Sequence, residues 1–330
     1  MLRPYYFIFF LFMFCSVYSQ SGNGLANGTI VYANGKNLYE YDLSANTSTI
    51  ITTCTSCNRI YRPRISKNGK YVAYEVEKTD YRNELWVSGV KSGILTPTAY
   101  FSSSDNSNFF SGYDYGIRDL AWGEDDNYLY FSASSNGNFD RRFIKIPFVN
   151  PKPSGQANVV FSIIVNDIDA RPDFDISLDG NYIYVRNSSS SNGKILKIPT
   201  SDFSLSGLST ADSNKKTGSP VISHSNSLDV NIDGISSTYL KFLYPKLSKD
   251  NKYVTFKFSN GTFVGFAELN TGKFKYLRYG GSTIGGHNAV FSPDGSKLIV
   301  HNTSYGYDIY DVTNYNEFDN LVLSNKSSLS

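Results

Sequence analysis

Short apolar stretches recur along the chain, and each runs through a polar turn into a strand where apolar and polar residues alternate. Three clear copies read Ile-Ser-Lys-Asn-Gly from Ile65, Ile-Ser-Leu-Asp-Gly from Ile176 and Phe-Ser-Pro-Asp-Gly from Phe291. Two further copies place Asp126 and Asn251 where the others have glycine. Alternation with a period of two is typical of half-buried strands, and Asn, Asp and Gly between strands indicate a tight turn. Each copy therefore predicts a β-hairpin.

Repetition of one hairpin unit predicts a ring of such units, because a single unit cannot bury its apolar face alone. The spacing of the copies suits four-stranded blades with loop insertions. Ahead of the first copy, three predicted strands have no innermost partner: Thr29–Tyr32, Leu38–Leu43 and Ser48–Thr52. The sequence therefore predicts an all-β, six-bladed β-propeller over residues 20–330, with five full blades and a sixth completed where the ring closes.

Helical periodicity is nearly absent, so the segments between strands are expected to be turns and loops. The outer strand of the blade that begins near Arg62 is predicted at Gly93–Thr98. Two long stretches rich in Ser, Asn, Asp and Gly, 100–116 and 201–239, are predicted to be loop insertions, since the repeat resumes after each. Gly280–Gly286 is expected to be a flexible connector.

At these repeats the chain resembles the TolB-like six-bladed β-propeller family, with its WD40-like Asp-Gly repeats of the form apolar-Ser-Pro-Asp-Gly-x-x-apolar. The copy at Phe291 matches the whole pattern, and those at Ile65 and Ile176 match it well. The resemblance covers nearly all of the chain after residue 19. It implies the fold, but not one activity: such blades occur in periplasmic scaffold proteins, peptidase gating domains and polysaccharide-active enzymes.

The first nineteen residues resemble a secretory signal peptide. Arg3 is their only charge, and the apolar core Tyr5–Cys15 is short for a span across a bilayer. We expect cleavage after residue 19 and a secreted or extracellular protein, or a periplasmic one in a bacterium; retention as an N-terminal anchor is the alternative. No later stretch approaches 18 apolar residues, so no stable membrane insertion is expected of the rest of the chain.

Overall charge does not favour a polyanionic partner. The formal net charge is +2, so no long-range field attracts nucleic acid. The Gly280–Gly286 stretch lacks the Lys and the strand-to-helix setting of a phosphate loop, and no cofactor is expected. Asp167, Asp169, Asp173 and Asp175 offer oxygens for calcium, but without an ion-loop glycine, and solvated turn residues are the simpler interpretation. We expect no metal and a monomer.

Cys54 and Cys57 are expected to form a small disulfide loop in an oxidising compartment. A redox motif would need a following helix, and a zinc site would need two further ligands. Asn-x-Ser/Thr triplets predict a glycoprotein in a glycosylating host. They begin at Asn27, Asn46, Asn187, Asn260, Asn302 and Asn325.

Residues that lead into the innermost strands are the best candidates for a binding site, because propellers usually bind at one mouth of the channel. An arginine fork can hold a carboxylate from a peptide or a uronic sugar. The alternative is that each arginine pairs with an aspartate of the next blade and sets the blade spacing. The candidates at the mouth are Arg62, Arg118, Asp119, Arg171, Asp173 and His287, with Tyr113 and Tyr115 in a loop insertion.

These residues favour an exported, non-catalytic binding module for a protein segment or glycan. The alternative is a carbohydrate-active enzyme, similar to a polysaccharide lyase, that uses His287 and a channel arginine. A packing or matrix role fits the Ser/Asn-rich surface as well.

Overall fold

The chain forms six sheets that follow one another along the sequence as six blades. The structure is a computed structural model, and it describes residues 29–42, 45, 47–80, 83–91, 93–102, 116–134, 141–152, 161–165, 173–187, 193–203, 215–216, 218–223, 242–248, 250–258, 263–286, 288–292, 295–301, 307–315, 317 and 319–329.

Blades 1 to 3 are built from the first half of the chain, in sequence order from the innermost strand outwards. Blade 1 contains β1 (Thr29–Asn34), β2 (Asn37–Asp42) and β3 (Thr47–Thr53). Blade 2 contains β4 (Cys57–Ile65), β5 (Tyr71–Lys78), β6 (Asn83–Gly89) and β7 (Thr98–Ser102). Blade 3 contains β8 (Gly116–Trp122), β9 (Tyr128–Ser134), β10 (Arg141–Pro147) and β11 (Phe161–Val165), and the later strand β15 (Lys215–Lys216) pairs parallel to β11.

Blades 4 to 6 repeat the four-stranded plan. Blade 4 contains β12 (Phe174–Ile176), β13 (Tyr182–Asn187), β14 (Lys194–Pro199) and β16 (Ser219–Ser223). Blade 5 contains β17 (Phe242–Leu247), β18 (Tyr253–Phe258), β19 (Val264–Glu268) and β20 (Phe274–Tyr276). A two-stranded ribbon, β21 (Arg278–Tyr279) and β22 (Ser282–Thr283), precedes blade 6, which contains β23 (Asn288–Phe291), β24 (Lys297–His301), β25 (Tyr307–Thr313) and β26 (Val322–Leu329).

The innermost strands of successive blades pack against one another around the ring. β1 contacts β4, β4 contacts β8, β8 contacts β12, β12 contacts β17, and β17 contacts β23. The predicted all-β, six-bladed propeller is confirmed. Aromatic side chains fill the space between blades, as Trp122 of blade 3 shows by packing on Tyr71 of blade 2 with ring centroids 6.3 Å apart. Its indole Nε1 also donates to the Arg64 carbonyl oxygen at 2.8 Å, so the same ring joins the two blades by a hydrogen bond as well as by packing.

One backbone hydrogen bond recurs in all six blades and identifies a copy of the repeat that the sequence pattern missed. It runs from the backbone N–H of a residue within one position of the end of the third strand to the carbonyl oxygen of the residue that precedes the second strand. The six bonds are Cys54 to Lys36, Val90 to Lys70, Phe148 to Asn127, Thr200 to Asn181, Leu269 to Lys252 and Val312 to Ser296. Blade 1 therefore turns at Gly35 and Lys36, with Gly35 at a φ of 58°.

This bond corrects the expected layout of the first blade. β1 is an innermost strand, so blade 1 does not lack its inner partner; among the described residues it lacks the outer one. The C-terminal strand β26 pairs with β25, so the last blade takes four strands from one continuous stretch and none of them completes blade 1.

Two outer strands also differ from expectation. In blade 2 the outer strand lies at Thr98–Ser102 and not at Gly93–Thr98. Gly93, with a φ of 84°, belongs instead to a turn in which the Gly89 N–H donates to the Leu95 carbonyl oxygen. In blade 4 the outer strand Ser219–Ser223 lies inside a stretch predicted to be loop. The glycine-rich connector likewise contains strand β22, paired with β21.

The two copies without glycine at the turn use that position to bind a neighbouring blade. Asp126 and Asn251 both have positive φ, at 57° and 55°, a conformation that Asp and Asn tolerate better than most residues. The Asp126 carboxylate accepts hydrogen bonds from the backbone N–H groups of Lys67 and Asn68 in blade 2, at 2.7 and 2.9 Å. The Asn251 side-chain oxygen accepts one from Leu178 of blade 4 at 2.9 Å.

Replacing Asp126 with glycine should keep the backbone turn but remove both bonds between blades. We expect the free energy of unfolding to fall by about 1–3 kcal/mol. Asn251→Gly, which removes one bond, should cost less. Asp125→Gly is the matched control, because Asp125 also has positive φ and is exposed. Chemical denaturation of the three variants measures the losses, and equal losses for Asp126→Gly and Asp125→Gly would contradict the assignment.

Candidate binding site at the channel mouth

Bulges occur in the innermost strands at positions that the sequence predicts to lie at the channel mouth. The pairing register shifts at Arg62-Pro63 in β4 and at Tyr244-Pro245 in β17. Proline has no N–H to give to the ladder, so a bulge at these positions leaves no donor unmatched. Arg62 and Tyr244 take positive φ, at 47° and 54°. A third register shift, beside Arg118 in β8, lies between Ile117 and Asp119.

Five side chains of blade 2 form what we call the mouth cluster: Arg59, Tyr61, Arg62, Glu75 and Glu77. The Arg62 guanidinium is paired with the Glu75 carboxylate, and Arg59 lies 3.6 Å from Glu77. The Tyr61 hydroxyl donates to Glu77 at 2.8 Å, and the guanidinium carbons of Arg59 and Arg62 lie 5.3 and 5.7 Å from its ring centroid. Burial, and then the Glu77 carboxylate, raise the pKa of Tyr61 to about 12. This hydroxyl therefore stays protonated at neutral pH.

The acidic side chains of the mouth cluster are less exposed to solvent than its arginines. The side chains of Glu75 and Glu77 are 2% and 17% exposed, whereas those of Arg62 and Arg59 are 23% and 57% exposed. The carboxylates therefore lie beneath the guanidinium groups, and the cluster presents a cationic and aromatic surface to solvent.

A second group of charges is buried on the innermost strands of blades 2, 3 and 5. The Asp119 carboxylate of blade 3 accepts a hydrogen bond from Arg64 of blade 2 at 2.6 Å and one from Lys246 of blade 5 at 3.3 Å. The backbone N–H of Phe174 in blade 4 donates to the same carboxylate at 3.2 Å. We call Arg64, Asp119 and Lys246 the central network. It connects four blades.

Further contacts hold the two cations of the central network in place. The Arg64 Nε donates to the Leu120 carbonyl oxygen at 2.7 Å, and the Lys246 ammonium donates to that of Phe174 at 3.2 Å. Burial alone would raise the pKa of Asp119, but the Lys246 ammonium and the Arg64 guanidinium outweigh it and hold that pKa below its usual value. Asp119 is therefore ionised at neutral pH.

The two aspartates of blade 4 are also in buried contacts. Asp173 lies 3.2 Å from the guanidinium of Arg186, and burial, reinforced by the nearby Asp119, raises the pKa of Asp173 to about 6. The Asp175 carboxylate accepts from the backbone N–H of Leu247 in blade 5 at 2.8 Å. Asp175 thus links blades 4 and 5. In the described part of the chain no three His, Cys, Asp or Glu residues are grouped to hold a metal ion.

The sequence-predicted residues therefore separate into three sets. Arg62 is half-buried in the mouth cluster and lies inside β4, not ahead of the innermost strand as predicted. Asp119 and Asp173 are more than nine-tenths buried in ion pairs. Arg118 lies in β8, but its side chain is outside the described part. Tyr113, Tyr115, Arg171 and His287 also lie outside the described residues.

Sequence reasoning missed Arg64 and Lys246, the two cations of the central network. Arg64, Asp175 and Lys246 occupy the same place in three copies, two residues before the serine of the turn motif. A charge shared at this position, directly before the apolar residue that precedes the serine, is the signal that could have found them.

The structure joins Cys54 and Cys57 by a disulfide, with their Cα atoms 5.8 Å apart. It spans the short connection from β3 to β4, and Cys57 lies two residues before Arg59 of the mouth cluster. Among the described residues no helix is long and apolar enough to traverse a bilayer.

No protein-family model matches the sequence, and no curated protein matches it. Solved structures do. TolB from Acinetobacter baumannii is 15% identical with a TM-score of 0.59, over 92% of this chain and 63% of that one. A putative TolB from Agrobacterium tumefaciens is 15% identical with a TM-score of 0.54, over 86% of this chain and 87% of that one. The β-propeller domain of Cps50 (Swd1) from Myceliophteria thermophila is 12% identical with a TM-score of 0.53, over 89% and 82%.

The chain spans less than two thirds of the A. baumannii TolB chain. At such identities the likeness shows the fold alone, and it agrees with the six blades and the repeated turns described above. The chain has a TolB-like six-bladed β-propeller fold.

Proposed function

We propose that the protein is an exported, non-catalytic binding module that engages an acidic protein segment or an acidic glycan at the channel mouth. The signal-peptide-like pattern of residues 1–19 supports export. The observation that carries the binding role is the mouth cluster, in which buried carboxylates hold arginines and a tyrosine ring at the start of an innermost strand.

Preorganisation is the first argument for binding. The backbone bulge and the buried Glu75 fix the Arg62 guanidinium, so less side-chain entropy is lost when a ligand arrives. A planar guanidinium can donate two parallel hydrogen bonds to a carboxylate, which an ammonium group cannot match.

The second argument is the combination of charge with a flat ring. Tyr61 lies beside two guanidinium groups, and Arg59 is the most exposed member of the cluster. A uronic sugar offers a carboxylate next to an apolar ring face, and an acidic peptide offers a carboxylate on a short stem. Both satisfy the chemistry of the cluster.

Binding should be measured on an array of uronic-acid oligosaccharides and acidic peptides, followed by titration calorimetry with the best probe. Arg62→Asn should weaken that binding about tenfold, because it removes a charge-assisted hydrogen bond, while asparagine still tolerates the positive φ. Arg59→Gln should weaken it less, since Arg59 is more exposed.

Lys70→Gln is the matched control, because it removes one positive charge from the exposed turn at the other end of β4. It should bind as tightly as the unmodified protein. The proposal fails if no acidic probe binds, or if Arg62→Asn and Lys70→Gln change the affinity equally.

A further inference from the structure

Blade 1 ends in a strand whose outer edge is not paired in the part of the chain that the structure describes. β3 pairs with β2, from Thr47 opposite Asp42 to Thr53 opposite Asn37. The chain then passes directly into β4 through residues 54–56, so no outer strand is inserted between blades 1 and 2. Blades 2 to 6 each have at least four strands. An edge strand presents alternate N–H and C=O groups outwards, which makes it a template for another strand.

The outer strands of the other blades carry features that discourage such pairing. Native edges are commonly protected by lysine, by proline or by a covering segment. Here these features are Lys215 and Lys216 in β15, Pro220 in β16, Lys275 in β20 and Lys326 in β26. The edge strand β7 is covered instead, since the Lys152 ammonium donates to Ala99 and the Tyr100 hydroxyl donates to Val149, both at 2.7 Å.

β3 has neither a lysine nor a proline, and its one irregularity is a register shift at Ile51 in the ladder with β2. It reads Thr-Ser-Thr-Ile-Ile-Thr-Thr, without a charge, a glycine or a proline. Nearly all its residues are β-branched, and such residues favour strands. Ile50, at 58% exposed, is the most exposed large hydrophobic residue among those described.

The face of blade 1 carries an apolar row that runs to this edge. Tyr32 lies opposite Tyr39 in the β1–β2 pair, and Tyr39 lies opposite Ile50 in the β2–β3 pair. The two tyrosine rings are stacked, with centroids 4.9 Å apart and planes 9° from parallel. Register partners share one face of a sheet, so the row ends at the exposed Ile50.

We propose that, contrary to the monomer expected from the sequence, two copies of this chain associate through β3, antiparallel about a two-fold axis near Ile50. Such a pairing places Ile50 opposite Ile50 of the partner subunit and extends the tyrosine row across both blades. A strand without charges suits this symmetric contact, because a charged residue at the axis would meet its own copy. The second copy thus supplies the outer strand that the other blades provide for themselves.

Sedimentation velocity of the purified protein over a wide range of concentration tests this proposal. We expect a monomer–dimer equilibrium that Ile50→Lys shifts to monomer, because two ammonium groups would face each other at the axis. Val322→Lys is the matched control, since Val322 is 50% exposed on the outer strand of blade 6. That variant should dimerise as the unmodified protein does.

Hydrogen exchange gives a second measurement that does not depend on the folding of a variant. Amide exchange in residues 47–53 of the unmodified protein should slow as its concentration rises, while exchange in β26 should not change. Three results would overturn the proposal: a monomer at every concentration, a dimer that Ile50→Lys leaves intact, or dimerisation that occurs only after removal of the residues before Thr29. The last result would assign the edge to the chain's own N-terminal segment.

Discussion

The arrangement of the central blades depends on one buried carboxylate. Asp119 belongs to blade 3, yet its oxygens are bound by Arg64 of blade 2, by Lys246 of blade 5 and by the backbone of blade 4. Removing one member of such a group leaves an uncompensated charge in an interior of low dielectric, which is strongly unfavourable. Blades 2 to 5 are therefore held in one relative position, because only that position satisfies all of these charges together.

Weaker contacts of other kinds secure the same blades elsewhere. Asp126 and Asn251 join neighbouring turns, and Trp122 combines an aromatic contact with a hydrogen bond to the next blade. The mouth cluster is built on this frame, since Arg62 lies only two residues before Arg64 on the same strand. Because this strand is fixed by the central network, the Arg62 guanidinium can be held in a defined direction for a ligand. Blade 1 contributes no described member to the central network, and its outer edge is unpaired among the described residues.

Local signals in the sequence were sufficient to predict the blades. The period of two and the Asn, Asp and Gly turns report on neighbouring residues, so the hairpins, and with them the ring, could be predicted. The turn at Gly35 was missed because the residues before it lack the serine or glycine that opens the turn in the other copies. The outer strands β16 and β20 are short and show no clear alternation, because pairing with the third strand of each blade decides their conformation.

The buried ion pairs of the central network could not be predicted from the sequence, because their members are far apart along the chain. Asp119 is 55 residues from Arg64 and 127 from Lys246, so neither pairing leaves a local pattern. Arginine and lysine in a strand ordinarily indicate a solvent-facing side. The interpretation that each mouth arginine pairs with an aspartate of the next blade does not hold for Arg62, which pairs with Glu75 of its own blade. The pair between blades is made by Arg64, which was not among those arginines, and Asp119.

A double-mutant cycle between Asp119 and Lys246 tests the role of the central network most directly. The variants are Asp119→Asn, Lys246→Met and the two combined, and the measured quantity is the free energy of unfolding at neutral pH. We expect Asp119→Asn alone to cost about 3–5 kcal/mol. The coupling energy across the two blades should exceed about 1 kcal/mol, because Asp119→Asn leaves the buried Lys246 ammonium without its carboxylate and Lys246→Met removes one of the two cations that bind Asp119. Effects that add within about 0.3 kcal/mol would show that Asp119 does not join these blades.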